Sequence, residues 1–235
     1  MKVRVKFQKE GPVKFVGHLD TLRYFQKSMR RAKIDVAYSE GYSPHMIMSF
    51  ASPLGVGLTT EGDYFDMELK TSSSSKEMIR RLNNTMAEGI RVLSIRQIPE
   101  EKSSNGMALV CACDYLISFR EGMGFRDGWK DHVCRFLLQE HIFFEKTTKK
   151  GTQEIDIRPL IYQMEVRGKT IFLQLSAGSV NNLKPEIVLD AFSAYLGETF
   201  SPYAFLIHRL EIYTDLGKDG EHQLVPLECL GTEIE

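Results

Sequence analysis

No apolar run in this chain approaches the ~20 residues that span a bilayer as a helix, so no membrane segment is expected. Met1 to Lys9 alternates basic and apolar residues and has no apolar core of a signal peptide. Cytoplasmic residence is the expectation that follows. Cysteine is scarce, with four among 235 residues. Cys111, Cys113, Cys134 and Cys229 show no paired metal-ligand spacing, and buried reduced thiols are the expected state. The three-cysteine motif that holds the iron–sulfur cluster of radical S-adenosylmethionine (SAM) enzymes is missing, so the chain cannot build that cluster alone. Walker loop, dinucleotide fingerprint and Ser-His-Asp arrangement are missing too. Those absences leave no cofactor to be expected from motif.

Net charge is also slight, −1 in total, but the figure hides an asymmetry. Residues 1–100 hold 16 Lys and Arg against 11 Asp and Glu, whereas the remainder holds 14 against 20. Ten basic and two acidic residues fall within positions 1–33. A local excess of this kind points to an anionic partner for the N-terminal part, or to a charged edge strand beside a solvated helix face.

Hydrophobic periodicity supplies the fold expectation. Val3, Val5 and Phe7 alternate with Lys2, Arg4 and Lys6 as a half-buried strand. From Leu19 to Lys33, the residues Leu19, Leu22, Phe25, Met29 and Ala32 recur at helical spacing. Strands follow at Met46–Phe50 and Tyr64–Lys70, then a helix from the Ser72–Ser75 cap to about Glu88, then a strand at Ile90–Ile98. Strand, helix, strand, strand, helix, strand is the order of a split βαβ, ferredoxin-like unit. Beyond a polar linker at 99–107 the pattern partly repeats. Strand signals occur at Leu109–Phe119, Ile142–Lys146, Gln153–Ile157, Tyr162–Val166, Thr170–Leu175 and Phe205–Tyr213. Helices are expected at Arg126–Glu140 and from Pro185 to Leu196. The expected class is α+β: two ferredoxin-like units in tandem, 1–100 and 101–235, with antiparallel sheets and helices on one face. The second carries an extra hairpin, and the tail after Asp215 reads as loosely attached.

The residues suited to chemistry gather between positions 17 and 57. His18 falls in the first turn of the first helix, where the dipole and free N–H groups favour an anion. A neutral imidazole there can donate to a phosphate or act as a general base. Arg23, Lys27, Arg30 and Arg31 share the polar side of that helix and suit a phosphate backbone. Asp20 is placed to satisfy first-turn N–H groups. Tyr38, Ser39, Tyr42, Ser43 and His45 surround Gly41 and Pro44, a loop whose rings and hydroxyls suit unpaired bases and phosphates. Gly55 and Gly57 permit close approach to the backbone. His18 and His45 lack the Cys partner or helix-spaced His pair that would favour a metal, so no metal site is expected. In the second half, Asp156 and Arg158 stand two apart, a spacing that on a strand sets them on one face, as an ion pair or an anion clamp.

These motifs resemble the radical SAM-linked protein family, a bacterial domain of unknown function. The resemblance rests on Phe15-Val16-Gly17-His18-Leu19-Asp20, Arg30-Arg31-Ala32, Tyr38 to His45, Ser49 to Gly57, and Glu61 through Tyr64 to Asp66. Asp156-Ile157-Arg158-Pro159 matches a later family motif. Where the family commonly has Ser before the histidine and Phe-Asn in the loop, this chain has Gly17 and Tyr42-Ser43. The resemblance implies a functional link to a radical SAM protein that supplies the chemistry. Three functions remain open on the sequence. The chain is a non-catalytic accessory protein that binds RNA or another substrate; or a metal-independent RNA-processing enzyme with a His18 base assisted by His45 or Tyr42; or a purely structural interaction partner.

Overall fold

The computed structural model describes residues 1–148, 151–201, 203–218 and 221–235. It is an α+β protein whose strands pair mostly antiparallel. The chain forms two compact units: Met1–Ala112 together with Arg209–Glu235, and Cys113–His208. The last segment therefore groups with the N-terminal unit, whereas the sequence places it with the second.

In the first unit, β1 (Lys2–Lys9) lies between β4 (Ile90–Gln97) and β3 (Thr59–Glu68), antiparallel to both. β2 (Met48–Phe50) pairs antiparallel with the far end of β3, Met48 facing Met67. Helix α1 (His18–Arg31) follows β1, and α2 (Ser75–Asn83) precedes β4. Period-two alternation sends Val3, Val5, Phe7, Phe65 and Met67 to one face, and a bulge in β4 opposite Lys6 and Phe7 brings Val92 and Ile95 to that face as well. There they meet Phe25 and Met29 of α1 and Met78 and Leu82 of α2. Phe7 touches Phe25 with ring centroids 4.8 Å apart, edge to face, and Phe25 lies at the same distance from Phe65. α1 stops where Lys33 adopts φ 54°, and α2 begins at Ser74, whose hydroxyl accepts from the Glu77 N–H. The helix read as reaching Glu88 ends at Asn83, where the Asn83 side chain turns to bond the backbone of Val92.

The opposite face of these strands is polar but not solvated. Arg4 is buried and grips Asp66 with two bonds, 2.8 and 2.9 Å long, while also donating to the carbonyls of Ser104 and Leu227. Lys6 reaches both Glu211 and Glu228 at 2.7 Å. Strand β10 (Phe205–Asp215) supplies Glu211, and β11 (Leu224–Pro226) pairs with β10 through Tyr213 and Pro226. The expectation of a loosely attached tail is overturned. Thr232 bridges Gln97, the Ile234 carbonyl accepts from the Ser75 N–H, and Glu228 holds Lys6 and Ser94.

Burial raises the Glu228 carboxyl, but bonds from Lys6 and Ser94 outweigh it and leave the group below the usual glutamate range. A depressed carboxyl stabilises the fold above the unfolded value of ~4.3 and loses that contribution as pH falls through the folded value. Acid titration followed by circular dichroism should therefore show the wild type losing stability below about pH 4.5. Glu228→Gln should show a shallower loss over the same window; an unchanged slope would refute this role for the tail.

The second unit holds β5 (Ala112–Phe119), β9 (Thr170–Ser176) and β8 (Ile161–Arg167) in that order, with β8 and β9 antiparallel. β6 (Phe143–Thr148) and β7 (Gly151–Asp156) make a separate hairpin. The short helix α3 (Gly106–Leu109) occupies the end of the expected linker, delaying β5 to Ala112. The helix expected at Arg126–Glu140 shrinks to α4 (His132–Leu137), because Gly128 takes φ 90° and only a 3-10 turn at Trp129–Asp131 precedes it. α5 (Pro185–Tyr195) agrees with its sequence reading within one residue. Cys113 is buried, Cys111 partly so, and Cys134 and Cys229 are exposed, which corrects the expectation of four buried thiols. Among the described residues, no helix is long and apolar enough to cross a membrane.

Candidate functional site

The first unit sorts the sequence candidates into two groups at opposite ends of its sheet. His18 opens α1, capped by Gly17 with no side-chain bond. It lines a recess with Lys9, Thr21, Pro53, Leu54 and Asp63, so it stands at the end of β1 where Lys9 lies. α1 then rises through 14 residues, about 20 Å, to Arg30 and Arg31. β3 defines the same separation: Phe7 faces Asp63, while Lys2 faces Glu68, about 17 Å further along. Ala37 and Ile47 bond backbone to backbone with each other and with Glu68, so the loop between them sits at the Glu68 end. Tyr38, Ser39, Tyr42, Ser43 and His45 are thus placed with Arg30 and Arg31 and apart from His18. A single cleft drawing His18 and His45 together is not what the chain builds.

The loop end is defined by a short circuit of bonds. The Ser39 N–H donates to the His45 carbonyl at 2.8 Å, and the Ser39 hydroxyl lies 2.9 Å from His45 Nδ1 and accepts from the His45 N–H at 3.1 Å. Tyr38 bridges Met46 across its base. Gly41 takes φ 103° inside it, a conformation that side chains with a Cβ rarely adopt. The closed loop leaves Tyr42 fully exposed at its tip and Tyr38 partly so. On α1, Thr21, Phe25, Ser28 and Met29 face inward, which turns Arg23, Lys27, Arg30 and Arg31 to solvent. Arg23 pairs with Asp20 at 3.0 Å, which gives Asp20 a partner other than the first-turn N–H groups. Arg31 donates to the Ser28 hydroxyl and the Thr85 carbonyl.

The His18 end holds groups that the sequence reading missed. Lys9, Asp63 and Arg209 are each about 2% exposed. Arg209 reaches Asp63 at 2.8 Å and donates to the Ser52 carbonyl at 2.9 Å. Asp63 also accepts from the Tyr64 N–H. Burial pushes its carboxyl up, against the pull of Arg209. Lys9 Nζ donates to the Val16 carbonyl at 2.6 Å. The signal for two of these was present. Asp63 alternates with Phe65, Met67 and Leu69, and Lys9 with Val5 and Phe7, so both charges fall on an apolar face.

In the second unit Asp156 and Arg158 do not act as one clamp, because β7 ends at Asp156 and a 3-10 turn begins at Arg158. Strand alternation no longer applies across the pair. The Asp156 carboxylate takes His141 Nδ1 at 2.8 Å and the N–H groups of Ile142 and Arg158. The Arg158 guanidinium closes the end of α4 through the Leu137 carbonyl and reaches the Ile161 carbonyl. Among the described residues, no three His, Cys, Asp or Glu side chains converge as a metal site.

An α+β chain with two polar ends on one sheet is the class this geometry defines. Residues 2–185 match the family described as "Uncharacterized protein conserved in bacteria (DUF2344)", and the chain belongs to that family. No curated protein matches it. Among solved structures it is similar to a chain of "Crystal Structure of a Cbf5-Nop10-Gar1 Complex". That similarity has a TM-score of 0.45 at 9% identity, covering 89% of this chain and 48% of the other, so the chain spans about half that protein's length.

Proposed function

We propose that the protein is a non-catalytic accessory module that binds RNA, as the substrate it presents to a radical SAM enzyme. The observation that carries the reading is the placement of a fully exposed Tyr42, on a bond-closed loop, at the sheet end where the cations of α1 emerge. Aromatic faces beside a cationic surface suit single strands, which stack on rings while their phosphates meet Lys and Arg. Lys27 and Arg30 are exposed and available to phosphates. The pairing order β4, β1, β3, β2, antiparallel throughout, supports a ferredoxin-like reading of the first unit, and a tandem second unit is part of the same proposal. The radical SAM partner rests on the family resemblance and the missing cluster motif, and a cytoplasmic setting is proposed with it. Strand cleavage by His18 with His45 assisting draws no support from two rings set at opposite ends of a sheet.

Filter binding of bulk cellular RNA at two salt concentrations tests the RNA reading. Retention should fall with salt at a log–log slope of roughly −0.7 per phosphate contacted. Lys27→Glu with Arg30→Glu should flatten that slope by more than one, and Tyr42→Ala should weaken retention about tenfold through a lost stacking platform worth ~1–3 kcal/mol. Salt-independent retention, or retention untouched by all three substitutions, would remove this function.

A further inference from the structure

Lys2 and Glu68 stand directly opposite each other in the register of β1 and β3. Opposed residues have Cβ atoms ~5 Å apart, and unlike charges there stabilise a sheet by meeting. These two do not meet. The Lys2 ammonium donates instead to the Glu100 carbonyl at 2.7 Å, which leaves two of its three protons to give. Among the described residues, the Glu68 carboxylate has no hydrogen-bond or ion-pair partner, and neither has the hydroxyl of Ser49 on the neighbouring strand. Lys2 and Glu68 are both half-buried, so two partly desolvated ions face the same space without joining.

That space is a cavity of about 160 Å³, lined by Lys2, Glu68, Ser49, Asn105, Ile47 and Ile98. A cavity of ~150 Å³ takes a single six-membered ring, so this one has room for a small molecule. Its floor is the polar face of the sheet. The Ile47 carbonyl accepts from the Glu68 N–H at 3.2 Å and the Ile98 N–H donates to the Lys2 carbonyl at 3.0 Å, which sets an isoleucine beside each ion. Asp66 also borders the cavity, but its carboxylate is taken up by two bonds from Arg4 and one from the Gly106 N–H at 2.7 Å. A ligand therefore meets one ammonium and one carboxylate, on strands ~4.8 Å apart, between apolar walls. Apolar lining with a few convergent polar groups is the ordinary make-up of a small-molecule site.

We infer that this cavity binds a small apolar α-amino acid: the ligand carboxylate meets the Lys2 ammonium, the ligand ammonium meets Glu68, and the aliphatic side chain lies on Ile47 and Ile98. An α-amino acid carries its two charges on one carbon, which suits ions on neighbouring strands. The Asn105 side-chain oxygen already accepts from the Met107 N–H at 3.0 Å, and its amide protons serve the ligand carboxylate. Binding supplies each protein ion with the countercharge that the other does not give it. The site lies on the sheet face opposite the one that α1 covers, and it does not rest on the RNA reading.

The test titrates the full chain calorimetrically with L-valine, with N-acetyl-L-valine, which lacks the ammonium, and with L-valinamide, which lacks the carboxylate. L-valine should bind saturably and each derivative roughly tenfold more weakly or worse, as expected when one charge-assisted bond is lost. Glu68→Gln and Lys2→Met each remove one charge at similar size, and each should lower L-valine affinity by about the same factor. Absence of saturable L-valine binding overturns the inference. So does a derivative that binds as tightly as L-valine, or a folded variant that binds L-valine as the wild type does. Should a variant fail to fold, amide NMR shifts of the wild type decide the matter: perturbation by L-valine centred on Ile47, Ser49 and Asn105 sustains the site, and perturbation elsewhere refutes it. Lys27→Glu with Arg30→Glu should leave L-valine affinity intact, and Glu68→Gln should leave RNA retention intact. Either proposal can therefore fail without the other.

Discussion

Asp63→Ala should cost about 3–5 kcal/mol of unfolding free energy, the range expected when one member of a buried ion pair is removed. The carboxylate and the Arg209 guanidinium are 2.8 Å apart with side chains 2% and 3% exposed. Each has been desolvated on the strength of the other. Truncation leaves Arg209 charged in a protein interior without the carboxylate it grips, and its contacts to the Ser52 carbonyl and hydroxyl are to neutral oxygens. Lys9, whose charge Asp63 also helps to hold, loses the same support. Replacing both partners tells the interaction apart from the burial cost. Asp63→Ala combined with Arg209→Met should be less destabilised than the sum of the two single changes, because an apolar pair no longer bears the desolvation. Urea unfolding of the four proteins supplies the cycle. A single-variant loss under about 1 kcal/mol, or additive singles, would mean that the pair is not the anchor its burial implies.

The same residue shows where reading the sequence succeeded and where it stopped. α1 was legible because Phe25 and Met29 repeat at helical spacing and nothing distant alters their preference. β1 was legible for the corresponding reason at period two. β3 was read as starting at Tyr64, but it starts at Thr59, since Glu61, Gly62 and Asp63 look like turn chemistry until residues almost 150 positions later pack against them. No local pattern announces Arg209. The tail was misread for a similar reason: its polar residues resemble solvated ones, yet Glu228 is spoken for by Lys6 and Ser94. Of the candidate site, His18 and the loop residues could be named from type and setting alone. Their distribution over two ends of one sheet could not, because it depends on the register that opposes Phe7 to Asp63 and Lys2 to Glu68. Asp156 and Arg158 illustrate a narrower failure. Two residues apart means one face only while the strand continues, and the strand ends at the first of them.

Gly62 should tolerate no side chain. A Cβ built there would lie 2.2 Å from the Leu210 carbonyl oxygen, 2.7 Å from the Glu211 Cα and 2.8 Å from the Leu210 carbonyl carbon. All three atoms are backbone, so no rotamer change relieves the overlap, and the chain beside β3 must move away. Movement there has consequences beyond the contact. Glu211 accepts a 2.5 Å bond from the Tyr64 hydroxyl and holds Lys6 at 2.7 Å, so drawing it back strips the buried Tyr64 of its partner and leaves the partly buried Lys6 with Glu228. Overpacking alone commonly costs ~1–3 kcal/mol, and an unsatisfied buried polar group adds about 1–3 kcal/mol. Gly62→Ala is therefore expected to lose about 3 kcal/mol or more in urea unfolding, and to expose the segment from Arg209 onward to limited proteolysis under conditions where the wild type resists it. Gly55→Ala is the matched control: its added Cβ meets Leu58 Cδ1 at an ordinary 3.6 Å, and its stability should stay within ~0.5 kcal/mol of wild type, as for a surface substitution. If both glycine variants unfold alike, close backbone packing against β3 is not what secures the chain's last segment to the first unit.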